Sequence, residues 1–158
     1  MKPVFREHGA QLSIGGAILY TIGLNPQRLG YSSSARFPAH ATQGGLSYQL
    51  TGPDAETMTI EAVTFPHVIG GLDAYAILKA YHRAQSIVPL IRMRGNYLGQ
   101  SSGLCVIETL DADEERLHPF DGIGRQIDVT IGLIMLPQNA ALPATGVSSL
   151  TGLLGGLL

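Results

Sequence analysis

The chain has 158 residues, with ten basic and twelve acidic side chains and a formal net charge of −2. Charged residues make up 14% and hydrophobic ones 45%, which excludes a polyelectrolyte disordered chain and leaves no basic face for broad phosphate neutralisation. Cys105 is the one cysteine, so an intramolecular disulfide and a thiolate zinc quartet are excluded, and so thin a charge layer predicts a surface covered by copies of the chain or by partners.

Residues 1–14 read as an N-terminal leader of mixed charge without periodicity. The opening residues hold no apolar core of signal-peptide length, and no run approaches the roughly eighteen apolar residues of a membrane span. A chain made in a reducing cytoplasm, with no membrane partner, is the expectation.

The central domain is read as residues 15–137. Its first element is the apolar run Gly16 to Gly23, too short for a helix and taken as a strand that Asn25-Pro26 ends. Residues 27–47 carry Ser32-Ser33-Ser34, Phe37-Pro38 and Gly44-Gly45 and are read as a long loop. Such a loop is either a mobile surface segment or one ordered by a partner. Its cations and aromatics, Arg28, Tyr31, Arg36 and Phe37, together with the nearby Tyr48, are types that anchor protein interfaces and form the candidate subunit interface.

Gly52-Pro53-Asp54 signals a turn. Residues 57–63 alternate, with Met58, Ile60 and Ala62 on one side and Thr57, Thr59 and Glu61 on the other, which predicts a half-buried strand. Residues 72–85 predict the one helix, with Ala74, Ile77, Leu78, Tyr81 and Ala84 on one face. Asp73 in its first turn and Arg83 in its last suit the helix dipole. A strand follows from Ile87 to Arg92, which Pro89 places at an edge or a strand end. Leu104 to Leu110 is a strand, and Asp111, Asp113, Glu114, Glu115 and Arg116 are read as a charged loop. Residues 126–136 carry Ile127, Val129, Ile131, Leu133 and Met135 at period 2 and are expected to be the longest strand. Residues 138–158 hold no charged side chain and read as a Gly/Leu-rich C-terminal tail, disordered alone or packed on a neighbouring chain.

Catalytic chemistry is not indicated. Cys105 lies mid-strand between Leu104 and Val106, where a buried inert thiol is expected. His8, His40, His67, His82 and His118 show no ligand spacing, so no metal is expected. The acidic run lacks the calcium-loop pattern, and no phosphate-binding glycine motif occurs, so no cofactor is expected either.

The order of the central segments resembles the GpU family of phage tail proteins, found in contractile temperate phages and R-type pyocins. The matching pieces are Leu50-Thr51-Gly52-Pro53-Asp54, then Thr59-Ile60-Glu61-Ala62-Val63 with Pro66 and Gly70-Gly71. The helix from Leu72, Pro89-Leu90-Ile91, Gly99 to Gly103, and Cys105-Val106-Ile107-Glu108-Thr109-Leu110 follow. The last piece is Asp121-Gly122-Ile123-Gly124-Arg125-Gln126-Ile127-Asp128-Val129-Thr130-Ile131.

The resemblance implies an α+β fold, mainly an antiparallel β-sandwich or barrel of tail-tube type with one flanking helix. It implies a non-enzymatic virion protein of the tail, assembled in the host cytoplasm as a sixfold homo-oligomeric ring. That ring would join the tail tube protein to the central hub protein, near a LysM-containing tail protein and the tape-measure protein, without specific nucleic-acid binding. The alternatives are a terminator ring at the other end of the tube, a small cytoplasmic enzyme, or a ligand-binding domain. By the same likeness, residues 27–47 are the arm that reaches a neighbour. Two departures stand out: the neutral segment after Pro137 and a longer leader before Gly15.

Overall fold

The computed structural model describes residues 10–94 and 98–137. The read C-terminal tail and residues 1–9 of the read leader lie outside the described residues. In chain order the elements are β1 (Ala10–Ile14), β2 (Ala17–Tyr20), β3 (Asn25–Ser32), β4 (Ala39–Thr42), β5 (Gly45–Tyr48) and β6 (Glu56–Thr64). Then come α1 (Pro66–Ile69), α2 (Leu72–Ala84), β7 (Val88–Arg94), β8 (Leu98–Leu117) and β9 (Gly124–Met135).

Seven strands form one sheet in the order β2-β1-β7-β8-β9-β6-β3, and β4 pairs with β5 alone. All pairings are antiparallel. The two edge strands, β2 and β3, are neighbours in sequence. A flat sheet of seven strands would hold its edges about 29 Å apart, at about 4.8 Å per strand. The chain from Tyr20 to Asn25 can span at most about 18 Å. The sheet therefore curls toward a barrel, and the Tyr20 amide donates to the Leu24 carbonyl across the gap at 3.1 Å. The fold is mainly antiparallel β as expected, with two helices where one was predicted: Pro66 opens the short α1 ahead of α2.

The concave face carries the core. Ile14, Leu19, Leu24, Ile60, Leu90, Cys105, Ile131 and Leu133 are buried there, and Ala74 and Leu78 of α2 join the same cluster. The helix packs on β2 and β8. The Tyr81 hydroxyl accepts from the Gly16 amide at 3.0 Å. Entry into α2 is tight. Gly71 sits at φ +101°, and a β-carbon there would meet the Gly23 carbonyl carbon and Thr64 Oγ1 at 2.6 Å. Thr64 is itself fully buried, and its hydroxyl donates to the Gly70 carbonyl.

The alternating strand at 57–63, the helix and the period-2 strand at 126–136 lie where expected. Other expectations are corrected. Among the described residues the sheet already includes Ala10–Ile14, inside the span read as leader, because Leu12 and Ile14 are buried where β1 lies between β2 and β7. Asn25-Pro26 opens β3 and does not close the preceding strand, which ends at Tyr20. Pro26 is tolerated because β3 is an edge strand and its register slips between Pro26 and Arg28. Pro89 is the second residue of β7 and lies past the end of the β1 pairing at Leu90, a strand end as expected.

The longest strand is β8, with 20 residues against 12 in β9, and the charged loop is part of it. Asp111, Asp113, Glu114 and Glu115 pair with Thr130, Asp128, Ile127 and Gln126. β7 covers β8 only as far as Cys105. Beyond it one edge of β8 has no strand partner among the described residues, and charge there discourages stray strand addition.

Candidate functional site

The feature that leaves the body of the fold is the connection between β3 and β6. These strands pair with each other up to Ser32 and Thr57, so the connection is an elaborated hairpin. Residues 27–47, read as a loop, are here the rest of β3 and most of a second, two-stranded unit. The pairs Ala39↔Tyr48 and Ala41↔Leu46 fix its register. Hydrogen bonds from the Gln49 amide to the Pro38 carbonyl and from the Thr51 amide to the Arg36 carbonyl extend it toward its base. Every residue from Tyr31 to Pro53 is exposed.

The arm has two unlike faces. Opposed residues in an antiparallel pair share a face, and successive residues alternate. One face therefore carries Phe37, Ala39 and Ala41 with Leu46, Tyr48 and Leu50. The other carries Arg36, Pro38, His40 and Thr42 with Ser47, Gln49 and Thr51. Phe37, Leu46, Tyr48 and Leu50 are 55%, 67%, 65% and 79% exposed. A two-stranded hairpin is marginal by itself in water. This one is braced at its base, where the Arg36 guanidinium donates twice to Asp54, at 2.9 and 3.2 Å. The Ala55 amide donates to the same carboxylate at 3.0 Å. That amide first, and Arg36 second, hold the Asp54 carboxyl below its ordinary pKa.

The five candidate interface residues are all on the surface but not all alike. Phe37 and Tyr48 share the apolar face of the arm. Arg36 is engaged within the arm. Arg28 and Tyr31 stand on β3, where Arg28 reaches Glu61 at 3.4 Å. Leu46 and Leu50 escaped sequence reasoning. Their signal was the period-2 alternation on both sides of Gly44-Gly45, masked by the serines and prolines around it.

A second exposed apolar patch lies at the turn between β8 and β9. Phe120 is 92% exposed and Val68, on α1, 83%. Between them the fold brings together three residues that sequence spacing kept apart. His67 and His118 stack with ring centroids 4.9 Å apart, and His67 Nε2 lies 2.8 Å from Asp121 Oδ2. The hydrogen bond with His67, and then one from the Ile123 amide, lower the Asp121 pKa. The histidines are thus not simply scattered over the surface.

Nucleophilic chemistry finds no support at Cys105. The thiol is fully buried, donates to the Val88 carbonyl at 3.4 Å, and is pushed up to about 11 by burial. Among the described residues no buried side-chain nitrogen or oxygen lacks a hydrogen-bond partner. No helix of the described residues is long and apolar enough to cross a membrane.

Comparison with known proteins gives the family. No curated protein matches the chain. Among solved structures, it is similar to a chain from the virion of a native gene transfer agent (GTA) particle, with a TM-score of 0.53 and 9% identity. That likeness, one of fold, covers 85% of this chain and 95% of the other. A chain from the tail of an empty GTA particle of C6 symmetry gives a TM-score of 0.48 at 11% identity, covering 87% of this chain and 96% of the other. The Phage P2 GpU family model matches residues 16–135. The chain belongs to the Phage P2 GpU family and is a phage-tail-related structural protein.

Proposed function

We propose that the chain is a ring subunit of a phage tail or tail-like particle, joining the tail tube to the central hub. In this reading it does no bond chemistry. Six copies close head to tail, and the apolar face of each arm lies on the next copy. The tail tube protein, the hub and a LysM-containing protein contact the ring from its two sides.

The observation that carries the reading is the arm: four large apolar side chains on one face of a braced hairpin, all in water. A head-to-tail ring needs two different complementary surfaces on each subunit. The patch at Val68 and Phe120 supplies the second. The arm leaves near the Ile134 end of β9, because Ile134 pairs with Thr57 and Thr57 with Ser32. The patch lies beyond Gly124, ten residues back along the same strand and so about 33 Å away. Surfaces at opposite ends of a subunit favour a chain of contacts over a two-fold pair.

Electron microscopy of the purified protein tests ring formation, with closed sixfold rings expected. Gold labelling of tagged subunits in native particles tests position, with label expected at the hub end of the tube. Monomers at every concentration would overturn the ring, and label at the opposite end would replace the junction with a terminator.

A further inference from the structure

We propose that His67, His118 and Asp121 form a binding site for a divalent transition metal of the zinc class. His67 Nε2 and Asp121 Oδ2 are 2.8 Å apart, and His118 Nδ1 and Asp121 Oδ1 are 3.6 Å apart. One ligand atom from each of the three residues lies within 4.8 Å of the other two. Tetrahedral ligands at zinc bond lengths sit about 3.4 Å from one another. The carboxylate brackets that separation, with Oδ2 at 2.8 Å from His67 and Oδ1 at 3.6 Å from His118. Bringing the imidazoles to that spacing requires at most about 1.4 Å of motion in partly exposed side chains.

The scaffold suits the task. His118 and Asp121 sit three residues apart on the turn between β8 and β9, which is closed by two bonds. The His118 amide donates to the Ile123 carbonyl and the Gly122 amide to the His118 carbonyl, both at 2.9 Å. The Ile123 amide donates to Asp121 Oδ1 at 3.0 Å and so orients the carboxylate, as outer-shell donors do in metal sites. His67 arrives from a separate element, α1, which packs on β9. Two turns remote in sequence would be tied by one ion.

The donor set decides the metal. Two imidazoles and one carboxylate favour zinc, cobalt, nickel or copper over magnesium or calcium, which prefer all-oxygen shells. Three protein ligands leave a position open to water or to a fourth donor.

The test uses the full chain freed of metal by chelation and titrated with Co²⁺, followed by visible absorption. One Co²⁺ per chain with the intense bands of a low-coordinate site is expected, displaced by Zn²⁺ and unaffected by excess Mg²⁺. His67→Ala, His118→Ala and Asp121→Asn should each weaken binding by more than about tenfold. His40→Ala, on the arm, should leave it unchanged. His67 takes no part in the backbone bonds that close the turn, and a circular-dichroism melt of each variant separates loss of the site from loss of the fold. Absence of stoichiometric binding in the parent chain, or equal binding in His67→Ala, would overturn the site. Because the proposed ring contact flanks this site, the titration is read at concentrations where the chain is monomeric, so failure of the site and failure of the ring are told apart.

Discussion

Replacing Leu46 and Leu50 together by Ser attacks the arm's apolar face without touching the core. Full burial of a leucine side chain is worth about 1.5–3 kcal/mol. With 67% and 79% of these side chains exposed, docking on a neighbour can recover about 1–2 kcal/mol from each. The double substitution should thus weaken each subunit junction by about 3 kcal/mol, or about 100-fold. In the proposed ring the loss falls on every junction at once, so rings should vanish at concentrations where the parent chain would assemble. Neither residue belongs to the buried cluster, so thermal stability should change by no more than about 0.5 kcal/mol. Sedimentation velocity over a concentration series, beside circular-dichroism melts, reads both effects. An unchanged sedimentation profile would refute the arm as the joining element. A large loss of melting temperature would refute its independence from the core.

Gly71→Ala should destabilise the fold by about 3 kcal/mol in denaturant titration, since the new methyl meets backbone at a positive φ. Ile131→Ala should cost about 3–4 kcal/mol, because the side chain is fully buried between the flanking strands. Cys105 should resist thiol reagents in the native state and react at once in denaturant, its pKa of about 11 keeping the thiol protonated at neutral pH. The arm's base should loosen in acid. Asp54 has a folded pKa below its unfolded one, so its contribution is present above the unfolded value and is lost as pH falls through the folded value. Amide protection at Arg36 and Thr51, relative to the intrinsic rate at each pH, should fall there, and Asp54→Asn should remove most of that pH dependence.

The strands with clean alternation and the amphipathic helix were legible because burial imposes a period on them. Ile127 to Met135 and Met58 to Ala62 each face one core, and the pattern says so. What escaped the sequence had a different cause. β1 is short, and its Leu12 and Ile14 are too few to set a period. Among the described residues the acidic half of β8 is paired on one edge only and is largely exposed, so burial does not force apolar residues into it. The arm alternates as well as any core strand, yet its hydrophobic face looks outward, and proline and serine at its base imitate a loop. The interface candidates Phe37 and Tyr48 were visible as residue types, whereas Leu46 and Leu50 needed the register. The histidine and aspartate cluster was invisible because His67 and His118 meet only through the packing of α1 on β9.

The arm grows out of a hairpin whose two legs already pair with each other. Shortened to a tight turn, it would leave the curled sheet whole. The body and the projection can therefore diverge at different rates: a lineage can lengthen, re-tip or exchange the projection while the framework that presents it stays the same.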